Sequence, residues 1–103
     1  MSSAELKQRL LQVIGSIPKG RVSTYGDIAR MAGAPNHARF VGTLLKNLPT
    51  GSKIPWQRVI NSKGEIAFPA GSDNWIRQQQ RLLAEGVVLT GGKVSLRQYR
   101  WQP

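Results

Sequence analysis

The run from Thr24 to Leu48 constrains the fold most, because it reads as two short helices joined by a tight turn. Thr24-Tyr25-Gly26-Asp27 has the pattern of a capping box, a hydroxyl at the cap and a carboxylate three residues on. Ile28, Met31 and Ala32 share one face of the helix it opens, and Gly33 stops that helix. The turn Gly33-Ala34-Pro35 leads to Asn36, which is expected to cap a second helix running to about Asn47. At 100° per residue, Phe40, Val41, Leu44, Leu45 and Leu48 fall on one side of this second helix. Arg39, Gly42, Thr43 and Lys46 fall on the other. Two such helices around a Gly-containing turn outline a helix-turn-helix.

The outward face of the second helix is basic, yet small in its middle, so its backbone can lie close to another surface. A recognition helix in a DNA groove has that need. A solvated face with two ordinary charges is the plainer alternative. Arg39 falls in the first helical turn, where the helix dipole disfavours a cation. It is either tolerated there or works outside the helix.

Charge decides which partners such a face can have. Fifteen Lys and Arg stand against five Asp and Glu, a formal net charge of +10, and the basic residues are spread along all 103 positions. A folded surface with that imbalance attracts polyanions, and binding through phosphates is strong and salt-dependent. A merely basic or ribosome-associated protein would share this composition. The absence of Cys excludes a disulfide framework, a thiolate metal site and a thiol nucleophile, and the lone His37 cannot build a metal site or a triad. No metal and no cofactor is therefore expected. No run approaches the roughly 20 apolar residues of a membrane span. Met1-Ser2-Ser3-Ala4-Glu5 lacks the basic and apolar regions of a secretory signal, so a cytoplasmic location is expected.

The flanking sequence reads as one domain of mostly helical character with small β elements. Leu6, Leu10, Val13, Ile14 and Ile17 recur at helical spacing over Ser3–Ile17, with Ser3 as the expected cap, before Pro18 and Gly20. Lys19–Ser23 reads as an extended linker. Asp73 is expected to cap a helix whose stripe is Trp75, Ile76, Gln79, Leu82 and Leu83, ended by Glu85-Gly86. Val87–Leu89, Gly91-Gly92 and Lys93–Leu96 suggest a small hairpin. The basic, aromatic tail from Arg97 to Trp101 reads as a strand packing Tyr99 and Trp101 onto the body, in preference to a nucleic-acid contact.

Between these elements lies Ile54-Pro55-Trp56-Gln57-Arg58-Val59-Ile60, a bulky Trp and a charged Arg set into an apolar run behind a Pro. It is either a strand entered through a Pro turn with Trp56 in the core, or a pocket wall offering stacking area and hydrogen bonds together. Asn61-Ser62-Lys63-Gly64 signals a turn after it, and Glu65–Ala67 is expected to return as a second short strand.

Together these pieces resemble the DNA-binding domain of the O6-alkylguanine-DNA alkyltransferases, from Ser3 to about Leu96. In that family the motif reads Pro-Cys-His-Arg-Val, the Cys accepting the alkyl group and the His activating it. Here Trp56 stands in the place of the Cys and Gln57 in that of the His, the mark of the alkyltransferase-like proteins. The larger N-terminal domain of the alkyltransferases has no counterpart in these residues. The fold implied is a winged helix-turn-helix-like DNA-binding domain.

The resemblance also implies roles. Tyr25 is similar to the Tyr that crowds the phosphate 3′ to the target nucleotide, and Arg39 to the finger that fills the space left by a flipped base. Gly42, Thr43 and Lys46 would meet the DNA. Pro55, Trp56, Val59 and the loop from Phe68 to Ser72 would line the base pocket. The carbonyls of Trp56 and Val59 would accept from the guanine amino group, and the Ala70 N–H would face the alkylated oxygen. Arg58, Glu85 and Asn47 would support the pocket. Two departures stand out: Leu48 occupies the position of a family Asn, and Pro69, unable to donate a hydrogen bond, replaces a Tyr or Arg.

The implied function is a non-enzymatic sensor of O6-alkylguanine in duplex DNA that flips the base and hands the site to nucleotide excision repair proteins, acting as a monomer. A helix-turn-helix transcription regulator is the alternative. An enzyme hydrolysing the alkyl group would need Glu85 or Asp27 as base, and the sequence pairs neither with a nucleophile.

Overall fold

The computed structural model describes residues 1–103. Its elements in chain order are α1 (Ser3–Ser16), β1 (Ser23–Thr24), α2 (Tyr25–Met31), α3 (Ala38–Lys46), a 3-10 turn (Trp56–Arg58) and β2 (Val59–Ile60). There follow α4 (Asp73–Ala84), β3 (Leu89–Thr90), β4 (Lys93–Val94) and α5 (Leu96–Tyr99). No helix is long and apolar enough to cross a membrane.

β1 and β2 pair in parallel, Ser23 with Val59 and Thr24 with Ile60. Because successive side chains of a strand point to opposite faces, this two-residue strand divides the interior. Val59 joins a core made by α1, α2 and α3, with Leu10, Ile14, Ile28 and Val41 fully buried. Ile60 joins a second core with Val22, Ile66, Leu82, Val87 and Val94. The motif segment is therefore the seam of the molecule, and the turn that precedes β2 is fixed from both sides.

Three helix starts differ from expectation by a residue, those of α1, α3 and α4, whereas α2 starts as expected. Ser2, not Ser3, caps α1, its Oγ accepting from the Glu5 N–H at 3.2 Å, which places Glu5 at the third helical position. Thr24 caps α2 through the Asp27 N–H at 3.1 Å. The return half of that capping box is not made, because the Asp27 carboxylate instead accepts from Arg30 and Arg100. Two guanidinium groups offer stronger, charge-assisted bonds than one backbone N–H. Asn36 does not cap α3. Its place is taken up by the turn closed from His37 N–H to Ala34 O at 3.0 Å, with Pro35 and Asn36 at the centre. His37 precedes the helix without a side-chain cap.

Ser72 rather than Asp73 caps α4, and the helix is rotated from its expected setting. Gln78 and Leu82 are buried and Trp75 is half-buried, whereas Ile76 and Leu83 are 40 % and 49 % exposed. A buried Gln wins the inward position because its Nε2 donates to two backbone carbonyls, Gln57 O at 3.1 Å and Val59 O at 2.9 Å.

The return strand expected at Glu65–Ala67 does not pair with the motif segment. Asn61 closes that turn, its Oδ1 accepting from the N–H groups of Lys63 and Glu65, and Glu65 forms a bridge to Lys93 instead. Gly64 sits at φ 80° with the Val94 carbonyl oxygen 2.5 Å from where a Cβ would lie, so only Gly fits.

The hairpin β3–β4 forms around Gly91 and Gly92, whose φ values of 60° and 78° suit a two-residue loop. Ser95 and Leu96, expected in the hairpin, instead cap and open α5, so Arg97–Tyr99 are helical and not the strand expected of the tail. The tail then bridges Val22, with Val22 N–H to Tyr99 O at 2.9 Å and Trp101 N–H to Val22 O at 2.8 Å. Tyr99 packs on the second core and Trp101 on the first.

Candidate functional site

An open cleft of ≈ 480 Å³ lies between α3 and α4, with Trp56 and Val59 in its wall. Six of the residues given a role from the sequence line it: Tyr25, Gly42, Lys46, Trp56, Val59 and Phe68. The parallel pairing of β1 with β2 sets the start of α2, and so Tyr25, against the segment that carries Trp56. Gly42 lies against the Tyr25 ring, where a Cβ would meet Tyr25 Cε1 at 4.0 Å. Burial raises the Tyr25 pKa above its ordinary value, so the hydroxyl keeps its proton at neutral pH.

The Trp56 side chain is half-buried and not a core residue. Phe68 meets it edge-on, with ring centroids 6.3 Å apart and planes at 83°. The guanidinium carbons of Arg77 and Arg81 lie over its ring at 5.8 and 5.3 Å from the centroid. Neither arginine was singled out in the sequence. The signal was present: Asn74, Arg77, Gln78 and Arg81 recur at i, i+3, i+4 and i+7 and all line the cleft. In the sequence this polar stripe is masked by the apolar residues interleaved with it, Trp75, Ile76, Leu82 and Leu83. The loop Leu48–Ser52, also unassigned, forms the mouth on the α3 side.

Behind the wall, Glu85 ties the turn in place. Arg58 Nε donates to Glu85 Oε1 and Nη2 to Oε2, both at 2.9 Å, while Arg58 Nη1 donates to Ile17 O at 2.7 Å. Gln57 Nε2 donates to Glu85 Oε2 at 2.9 Å, and Gln57 Oε1 is buried without a partner. The Arg58 hydrogen bonds hold the Glu85 carboxyl below its ordinary pKa against the opposing effect of burial, with Gln57 helping. Gln57 is thus buried against Glu85.

Other assigned residues stand elsewhere. Arg39 and Thr43 are exposed on α3 outside the cleft lining, with Thr43 Oγ1 donating to Arg39 O at 3.3 Å. Asn47 supports its own helix, its Nδ2 donating to Thr43 O at 3.0 Å, and does not reach the cleft. Pro55 is half-buried at the start of the 3-10 turn. Pro69 and Ala70 are exposed and do not line the cleft, and the Ala70 N–H has no backbone partner. Ser72 Oγ is committed to capping α4 through the Trp75 N–H at 3.3 Å. The two carbonyls expected to read a base already accept bonds: Trp56 O from the Val59 N–H, and Val59 O from Gln78. Each carbonyl retains one lone pair for a further donor.

The match to a known family runs over most of the chain. Residues 5–87 fit the model of the DNA-binding domain of 6-O-methylguanine DNA methyltransferase, and the chain belongs to that family. Within it, the chain is 54% identical to a DNA base-flipping protein of Vibrio parahaemolyticus, covering 92% of this chain and 94% of that one. It is 41% identical to alkyltransferase-like protein 1 of Schizosaccharomyces pombe, with all of both chains covered. The crystal structure of S. pombe Atl1 with damaged DNA containing O6-carboxymethylguanine superposes with a TM-score of 0.92 at 40% identity over all of both chains. The mostly helical domain with few strands is thus the alkyltransferase DNA-binding fold.

Proposed function

We propose that this chain is a non-enzymatic, monomeric sensor, one domain in extent, that binds O6-alkylguanine in duplex DNA. One observation carries the reading: Trp56, in the place of the family's acceptor Cys, sits in the wall of an open cleft beside the basic face of α3. The names and bound DNA of the relatives support the same direction.

Docking of α3 through Arg39, Gly42, Thr43 and Lys46 brings the DNA to the mouth of the cleft. Tyr25, uncharged at neutral pH, crowds the backbone without repelling it. Flipping a base costs a few kcal/mol, less for a damaged or mispaired one. Stacking on an aromatic ring returns about 1–3 kcal/mol per base, and Arg39 fills the space left behind. Alkylation at O6 removes the guanine N1 proton and adds apolar area suited to the cleft's Trp56 and Phe68. Pro55 and the Ala70 N–H, outside the cleft lining, are the further contacts this reading assigns to the bound DNA.

Transfer has no chemical support. The chain holds no Cys, neither Trp nor Gln is an activatable nucleophile, and Gln57 is committed to Glu85. A lesion held without repair blocks or flags the site, and nucleotide excision repair proteins in the cytoplasm are the recipients this reading names.

The test is a titration of a duplex bearing one O6-methylguanine against its unmodified twin at fixed salt. The lesion duplex is expected to bind more tightly. Equal affinities would leave a helix-turn-helix regulator or a merely basic protein in place of the sensor.

A further inference from the structure

The geometry points to an anion-binding subsite formed by Arg77 and Arg81 beside Trp56, which takes a negatively charged group brought into the cleft by the bound DNA. This rests on the proposed lesion-binding reading of the same cleft and adds the adduct chemistry it favours: a carboxylate-bearing substituent at O6 over a neutral one of the same size.

Three observations carry it. First, the two arginines are free to act. The ion pairs of the molecule engage Arg30, Arg58 and Arg100 with Asp27 and Glu85, and none engages Arg77 or Arg81. Second, no Asp or Glu lines the cleft, whereas Lys46 on the facing wall adds a third cation. The cleft's charge is thus uncompensated within the protein, and an anion entering it meets no carboxylate. Third, the guanidinium groups are placed by Trp56 itself, 5.8 and 5.3 Å from its ring centroid. A guanidinium over an indole is oriented by the ring quadrupole, and its planar fork then presents donors that match a carboxylate bidentately.

Position separates this pair from the DNA-facing charges. Arg39 and Lys46 stand on α3, whereas Arg77 and Arg81 are one turn apart on α4. An anion carried on O6 of a base stacked near Trp56 would reach them. A backbone phosphate drawn into the cleft would offer the same oxygens, and the test separates the two sources.

Three duplexes are compared by fluorescence anisotropy at fixed salt: one with O6-carboxymethylguanine, one with its neutral isostere O6-carbamoylmethylguanine, and one unmodified. They are titrated with the wild-type chain, with R77Q/R81Q and with R77K/R81K. The wild type is expected to bind the carboxymethyl duplex about tenfold more tightly than the carbamoylmethyl duplex, the scale of a charge-assisted pair at a partly exposed site. R77Q/R81Q should bind these two equally while still preferring both to unmodified DNA, and R77K/R81K, which keeps the charges but not the planar fork, should keep only part of the charge preference. A uniform loss on all three duplexes in R77Q/R81Q, with a shallower salt dependence, also supports the subsite and assigns its anion to a backbone phosphate. Wild-type-like binding by R77Q/R81Q to all three, without any charge preference in the wild type, overturns the subsite. Equal wild-type affinity for all three duplexes overturns instead the lesion-binding reading beneath it.

Discussion

Replacing Glu85 by Gln tests how the Trp56 wall is held. The Glu85 carboxylate accepts three hydrogen bonds, two from Arg58 and one from Gln57, each at 2.9 Å. Its side chain is 11 % exposed and that of Arg58 17 %. Breaking a buried ion pair from one side costs roughly 3–5 kcal/mol, because the remaining charge is stranded. Here Arg58 keeps the Ile17 carbonyl at 2.7 Å and retains some contact with water, so a cost of about 2–3 kcal/mol is expected. At roughly 4–8 °C per kcal/mol for a domain of this size, the midpoint should fall by about 10–20 °C.

The assay is urea and thermal unfolding of Glu85→Gln beside the double variant Arg58→Met/Glu85→Met. Removing both charges leaves no stranded ion, so the double variant should recover much of the loss. The sign of the pH effect follows from the lowered Glu85 pKa. A carboxylate depressed in the folded state stabilises above its unfolded pKa, and that contribution disappears as pH falls through the folded value. The gap between wild type and Glu85→Gln should therefore be full at neutral pH and close in acid. A loss below about 0.5 kcal/mol at pH 7, the scale of an ordinary surface change, would refute the view that this ion pair anchors the Trp56 turn.

Three further outcomes are expected. Arg39→Ala should remove most of the preference for the O6-methylguanine duplex, whereas Lys46→Ala should weaken both duplexes alike and reduce the salt slope by about one, as read by titrations at several salt concentrations. Trp56→Ala should loosen lesion binding by about 1–3 kcal/mol; an unchanged Kd would make the ring a structural residue only. Asp27 is held below its ordinary pKa, chiefly by its hydrogen bonds with Arg100 and next by Arg30, against the effect of burial. Asp27→Asn should consequently cost about 1–2 kcal/mol at neutral pH, discounted for the exposure of both arginines, with the difference vanishing in acid unfolding curves.

Helical periodicity made α1, α2 and α3 legible, because Leu6, Leu10, Ile14, Val41 and Leu44 are buried at the spacing they show in the chain. The hairpin at Gly91-Gly92 was legible for a comparable reason, since its loop chemistry is local. What escaped was set by distant partners. The strand Val59–Ile60 is two residues long and pairs with Ser23–Thr24, so neither has a local pattern. Gln78 reads as a surface residue, yet it is buried by bonds to carbonyls 21 and 19 residues away. That rotation of α4 also turns Arg77 and Arg81 into the cleft, which an apolar stripe through Ile76 and Leu83 would not have indicated. Of the candidate site, the cleft lining was legible at Trp56, Val59 and Tyr25. Asn47 and Ser72, in contrast, spend their side chains on the ends of their own helices.

Binding without transfer is the central claim, and mass tests it most directly. The chain is incubated with a stoichiometric O6-methylguanine duplex under conditions that saturate the complex, after which protein and both strands are weighed. The account predicts that all three masses are unchanged while the lesion duplex outcompetes its unmodified twin. A methyl group gained by the protein, or lost from the DNA, would contradict it.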